Sequence, residues 1–100
     1  MSYYPGELDE DGYPTEDTLE RIKNWDYKDP MGLYEFIKPL WAYYDPIIDD
    51  EHRLYMSTAG WSGNEDIIYA MNKNIMWWQL YWYSSKRGGH FVFDLSRAVK

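Results

Sequence analysis

The chain has 100 residues, of which 45% are hydrophobic and 20% aromatic, no cysteine, and a formal net charge of −7. That length holds one domain around a single core, and so apolar a composition lies far from that of a disordered chain. Without cysteine there are no disulfides, thiol nucleophiles or thiolate metal sites, and the negative charge disfavours direct binding to phosphate backbones.

Residues 1–13, beginning MSYYPGELDEDG, read as an extended acidic arm. They carry no apolar run, so neither a secretory signal nor a transit peptide is expected there. A helix follows Pro14 and Thr15: Thr15 caps it, Glu16 and Asp17 suit the positive end of the macrodipole, and Leu19, Ile22 and Trp25 form the buried stripe. Asp29-Pro30 is a stronger start signal, an N-cap carboxylate followed by proline at the first helical position. Leu33, Phe36, Ile37, Leu40 and Trp41 then keep helical spacing, and Pro39 should end or kink the helix near Trp41.

Residues 42–53, AYYDPIIDDEHR, read as an irregular acidic connection, and residues 54–58 as a short strand. In GWSGNEDII, Ser62 and Glu65 have the spacing of a capping box ahead of Ile67, Ile68 and Met71. The stretch IMWWQLYWY alternates with period two, so a strand is predicted with Met76, Trp78, Leu80 and Trp82 in the core. Ile75, Trp77, Gln79, Tyr81 and Tyr83 fall on its other, amphipathic face. After the SKRGG turn, Phe91, Phe93 and Leu95 complete a hairpin, and residues 96–100 form a tail. The expectation is a single α+β domain over residues 1–100: a three-stranded antiparallel sheet, one strand plus a C-terminal hairpin, covered by about three helices in the order ααβαββ.

Charge is the main functional signal. Residues 1–53 hold fourteen carboxylates against five bases, whereas residues 54–100 hold three against five. Asp9, Glu10, Asp11, Asp49, Asp50 and Glu51 lie in predicted arm or loop, where the fold does not need them; they are the candidate acidic surface for a basic protein partner. His52 beside Asp49, Asp50 and Glu51 lacks a second histidine at ligand spacing, so the cluster reads as a solvated loop, and no metal or cofactor is expected. No catalytic motif stands out. The alternative to an interaction protein is a small-ligand binder or enzyme with a pocket near Trp61, Asn64, Glu65, Arg87 and His90. No segment approaches the roughly 20 apolar residues of a spanning helix, so no membrane partner is expected.

The pairing of STAGWSGNEDII with WWQLYWYSSKRGGHFVF resembles a family of short acidic proteins encoded by bacteriophages and prophages. The resemblance covers roughly residues 13–95, and Gly60-Trp61-Ser62-Gly63-Asn64-Glu65 and Arg87-Gly88-Gly89-His90 are its most specific pieces. The chain's shortness, its acidic N-terminal half and the lack of an assembled catalytic motif lead to the expectation that it inhibits or modulates a host factor by binding a basic surface of a host or phage protein. The resemblance implies the setting, the cytoplasm of an infected bacterium, and carries over no catalytic residue.

Overall fold

The computed structural model describes residues 5–96. The first four residues of the predicted arm and residues 97–100 of the predicted tail lie outside the described residues. Helix α1 (Glu16–Lys23) starts at Thr15, whose hydroxyl oxygen accepts from the Thr18 amide, and it runs from acidic to basic as the macrodipole favours. Thr18 is the link to the preceding segment: its hydroxyl accepts from the Glu7 amide at 2.8 Å and donates to the Glu7 carbonyl at 3.1 Å. The acidic segment is thereby folded back on the helix, with Leu8 and Pro14 bridged across a turn.

Helix α2 (Pro30–Ile37) begins as the Asp29-Pro30 signal predicts, with Asp29 accepting from the Gly32 amide at 3.0 Å. Pro39 converts its end into a 3-10 turn, Lys38–Leu40, and Leu33, Phe36, Ile37, Leu40 and Trp41 are all buried. Strand β1 (Ile47–Ile48) and strand β2 (Arg53–Ser57) form a short hairpin inside and after the region expected to be irregular. Two residues are too few to show periodicity. Ile47 and Ile48 are extended because Tyr55 and Leu54 lie opposite them.

Helix α3 (Ser62–Lys73) and helix α4 (Ile75–Tyr81) meet at Asn74, which ends one and caps the other. The Asn74 side chain accepts from the Trp77 amide and donates to the carbonyls of Ile22 and Trp25 at 3.1 and 2.9 Å, fixing the joint against the end of α1. Helix α4 corrects the predicted strand. Trp77 and Tyr81 stand one turn apart on its inner side and are 1% and 4% exposed, whereas Met76, assigned to the core, is 52% exposed. Trp77 packs 5.1 Å from Phe93, and the Tyr81 hydroxyl donates to the Tyr27 carbonyl at 2.6 Å. A strand would have divided these side chains from the core face; helical spacing lets both large rings enter it.

Strand β3 (Trp82–Lys86) then pairs with strand β4 (His90–Asp94), with an irregularity between Trp82 and Ser84. The sheet has four strands rather than three, in the order β1-β2-β4-β3, and every pairing is antiparallel. The helices pack on the face bearing Leu54, Met56 and Phe93, joined in one cluster with Ile22, Leu33, Phe36, Ile67, Met71 and Trp77. The opposite face carries Ile47, Tyr55 and Tyr83, all exposed. No helix among the described residues is long and apolar enough to cross a membrane.

The helical reading of residues 75–81 has a direct energetic test. Trp77→Ala should cost about 3 to 5 kcal/mol as a buried large-to-small change, and Met76→Ala less than about 1 kcal/mol. Trp77→Phe should cost less than Trp77→Ala, because the buried Trp77 Nε1 has no acceptor and its loss removes an unsatisfied donor. Denaturant melts of the variants give the ranking. Equal losses at positions 76 and 77 would contradict α4.

Candidate functional site

Asn64 sits in the first turn of α3, fully buried, and every hydrogen-bonding role of its side chain is taken by backbone. Its Oδ1 accepts from the Ala42 amide at 3.0 Å, and its Nδ2 donates to the carbonyls of Ala42 at 2.9 Å and Thr58 at 3.2 Å. The loop after the 3-10 turn is thus stapled to the turn between β2 and α3. Trp41 adds a second tie, with its Nε1 donating to the Ser57 carbonyl at 3.0 Å. The next residue after Ala42, Tyr43, has φ of 71°, and Tyr43 and Tyr44 are 72% and 70% exposed. Two tyrosines are therefore presented to solvent from a backbone held at both edges.

Each ring leads to a different neighbour. Tyr43 meets Trp61 edge-on at 6.3 Å, and Trp61 lies 4.7 Å from Tyr13. Tyr44 borders a groove of about 180 Å³ on the open sheet face, together with Ile47, Tyr55, His90 and Val92. Beyond it, Arg53 lies over the Tyr83 ring at 4.6 Å. A strip of rings thus runs from Tyr13 through Trp61, Tyr43 and Tyr44 to Tyr55.

Acidic turns stand at both ends of this strip. At the Tyr13 end, Asp9 Oδ1 accepts from the amides of Asp11 and Tyr13 and shapes the turn that displays Glu10 and Asp11. At the Tyr55 end, Asp49 Oδ1 accepts from the amides of Glu51 and Arg53, and its Oδ2 accepts from the Tyr55 hydroxyl at 3.1 Å. These bonds, the Arg53 amide first, hold the Asp49 carboxyl below its ordinary value despite the opposing desolvation, and the bond to Asp49 raises the Tyr55 hydroxyl. The six sequence-predicted carboxylates do not form one patch: one triplet adjoins Tyr13 and the Trp61 end of β2, and the other the Arg53 end. Strand β2 separates those ends by about 17 Å at 3.3 to 3.4 Å per residue.

The alternative pocket residues are brought to neighbouring turns, and of the five the sheet-face groove takes in His90 alone. The Thr58 amide donates to the Gly89 carbonyl at 3.0 Å, which joins the GWSGNE and RGGH segments. Gly89, at φ of 78°, is required there, because a Cβ would run into the Thr58 side chain. Asn64 is spent on backbone, Glu65 and Arg87 are exposed, and His90 belongs to the sheet-face groove. No three His, Asp or Glu side chains among the described residues are grouped to hold a metal ion.

The predicted capping box is corrected as well. The N-cap position of α3 is Trp61, without a side-chain cap, and the Ser62 hydroxyl pairs instead with the Tyr13 hydroxyl at 2.8 Å. Tyr13, Tyr43, Tyr44 and Tyr55 were not singled out from sequence. The dipeptide Tyr43-Tyr44 before the turn-forming Asp45-Pro46 was the available signal, since bulky rings in a turn have little core to enter. Compared with protein-family models, curated proteins and solved structures, the chain matches none.

Two outcomes test this geometry. Asn64→Ala should destabilise by about 2 kcal/mol or more, since it leaves the Ala42 amide and carbonyl without their partners, while the Thr58 carbonyl keeps its bond from the Trp61 amide. Urea melts read the loss, and a change below about 1 kcal/mol would refute the staple. Separately, the lowered Asp49 carboxyl stabilises the β1–β2 turn fully above its unfolded value near pH 4, and this contribution disappears as pH falls through the lower folded value. Exchange of the Arg53 amide should accelerate relative to Leu54 over that acid range, and Asp49→Asn should flatten the dependence.

Proposed function

We propose that this is a small phage-type interaction protein that modulates a host factor through the aromatic strip and the acidic turns at its ends. The observation that carries the reading is the exposure of adjacent rings on a backbone pinned by a buried asparagine. A chain gains nothing in stability from holding Tyr43 in the left-handed region with its ring in water, and such outliers gather at binding sites. Tyrosine and tryptophan are the usual anchors of protein interfaces. The flanking carboxylates define the complement: a partner surface with an apolar centre and basic margins.

The two components do different work. Glu10, Asp11, Asp50 and Glu51 are exposed rim charges, which attract a basic surface over a Debye length of about 8 Å at physiological salt and so act on the association rate. The rings lose water on contact and act on the dissociation rate. The resemblance to phage-encoded proteins supports a setting in the cytoplasm of an infected bacterium, with a host or phage protein as partner. The ligand-pocket alternative has the Thr58–Gly89 contact in its favour but lacks a free Asn64.

Affinity capture from a bacterial lysate, followed by kinetic measurement on the captured partner, tests the proposal. The quadruple neutralisation Glu10→Gln, Asp11→Asn, Asp50→Asn and Glu51→Gln should slow association by about tenfold at low salt, with stability within roughly 0.5 kcal/mol per site. Tyr55→Ser should speed dissociation by about tenfold, the equivalent of roughly 1.4 kcal/mol. Unchanged kinetics in both variants would remove the strip and its acidic ends from the interface.

A further inference from the structure

Helix α4 is apolar all the way round. Trp77 and Tyr81 enter the core and Trp78 and Leu80 pack partly against it, while Ile75 and Met76 on the outer side are 64% and 52% exposed, with the exposed Gln79 beside them. Trp82, which continues the chain from α4 into the edge strand β3, is 45% exposed. A helix without a charged face belongs in surroundings that cover it on every side. Ile75 and Met76 have no such cover among the described residues.

The charge around this face sets it apart from the rest of the molecule. All 17 carboxylates of the chain lie outside residues 67–93, and the charged residues within that stretch are Lys73, Lys86 and Arg87, all exposed. Residues 74–85 carry no charge, so the cations stand at the two ends of the apolar face: Lys73 just before α4, and Lys86 and Arg87 where β3 ends. No carboxylate among the described residues pairs with Lys86 or Arg87.

The complement of such a face has rings at its centre and carboxylates at its ends, and the chain itself carries one: the aromatic strip, with Glu10 and Asp11 at one end and Asp50 and Glu51 at the other. Within one copy the two stand apart, because the strand order β1-β2-β4-β3 puts the β1–β2 turn and β3 at opposite edges of the sheet. Two strips, or two α4 faces, would bring like charges together in a chain that already carries −7. Strip against α4 face sets opposite charges opposite each other and covers Ile75, Met76 and Trp82 with tyrosine rings. An anionic lipid surface would attract the three cations but repel the carboxylates that dominate the rest of the molecule.

We infer that the outer side of α4 and the adjoining edge strand β3 form a docking surface for a second copy of this chain, whose aromatic strip lies on Ile75, Met76 and Trp82 with its acidic ends toward Lys73, Lys86 and Arg87. The contact is heterologous: each copy offers its strip once and its α4 face once, so association runs head to tail. A strip occupied in this way is closed to any other partner. The inference rests on the reading of the strip as a docking surface and adds an occupant that competes with the host factor.

The experiment is sedimentation equilibrium of the full chain from micromolar to millimolar concentration. The mass should rise with concentration from the 12.1 kDa of one copy. A face variant, Ile75→Glu with Lys86→Glu and Arg87→Glu, and a strip variant, Glu10→Gln with Asp11→Asn, Asp50→Asn and Glu51→Gln, should each weaken self-association by about tenfold or more, with folding intact in thermal melts. The strip variant carries a net charge of −7 + 4 = −3, so relief of general repulsion would instead strengthen its association. Mixed in equal amounts, the two variants should form a dimer of one copy each and stop there, because the mixture holds one intact strip and one intact face.

A chain that keeps the mass of one copy at millimolar concentration would overturn the inference. So would self-association that survives in the face variant, stronger association of the strip variant, or a mixture of the two that stays monomeric. Binding of a monomeric chain to phosphatidylglycerol vesicles, lost in the face variant, would assign the face to a lipid surface and overturn it as well. If the chain fails to self-associate while Tyr55→Ser and the strip variant still lose their lysate partner, the second copy is the wrong occupant and the interaction reading stands. If it self-associates as described while the lysate partner ignores both variants, the inference holds and the host-factor reading falls.

Discussion

The buried amide of Asn64 is the constraint from which the presentation of this surface follows. One side chain receives the Ala42 amide, donates to the Ala42 carbonyl and donates to the Thr58 carbonyl. Buried backbone groups outside regular structure must find partners, and here a single residue supplies them for two loops at once. The chain leaving Trp41 can then lie close to the β2–α3 turn without either loop forming a strand or helix. Thr58, held on one side by Asn64, passes the constraint to the β3–β4 turn through Gly89. Loop, turn and hairpin become one rigid corner of the domain.

The same corner explains why charge and aromatic surface occur together. The helices occupy one face of the sheet, where Trp77 and Phe93 fill the centre of the core, so the other face remains open with Tyr55 and Ile47 upon it. The acidic segments are attached at the ends of this face by local carboxylate-to-amide bonds at Asp9 and Asp49. Those two residues shape turns; their neighbours Glu10, Asp11, Asp50 and Glu51 supply the outward charge. Acidic content that reads in the sequence as one property of the N-terminal half is thus divided into two roles and two places.

Much of the framework was legible where the deciding contacts are local. The Thr15 cap, the Asp29-Pro30 start, the break at Pro39 and the glycine turn before His90 all depend on neighbours within a few residues, and each takes the form expected. The failures share the opposite cause. Whether residues 75–81 coil or extend is decided at Asn74, whose amide reaches Ile22 and Trp25 some fifty positions earlier. Ser62 lost its capping role to Tyr13, 49 residues away. In IMWWQLYWY both a period of two and a period of 3.6 place large apolar residues on one side, and only the partner surface chooses between them. Of the site, the carboxylates and Trp61 were visible as residue types, but the tyrosine strip depends on Asn64 and could not be read before that contact was known.

Amide hydrogen exchange at Ala42 tests the central claim most directly, because that N–H lies in a loop and belongs to no helix or strand ladder. If Asn64 holds the loop, Ala42 exchanges only on global unfolding, as slowly as the core amide of Phe93, while the neighbouring Tyr44 amide exchanges freely. Exchange of Ala42 at the rate of an open loop would contradict the account, since the strip would then have no fixed platform.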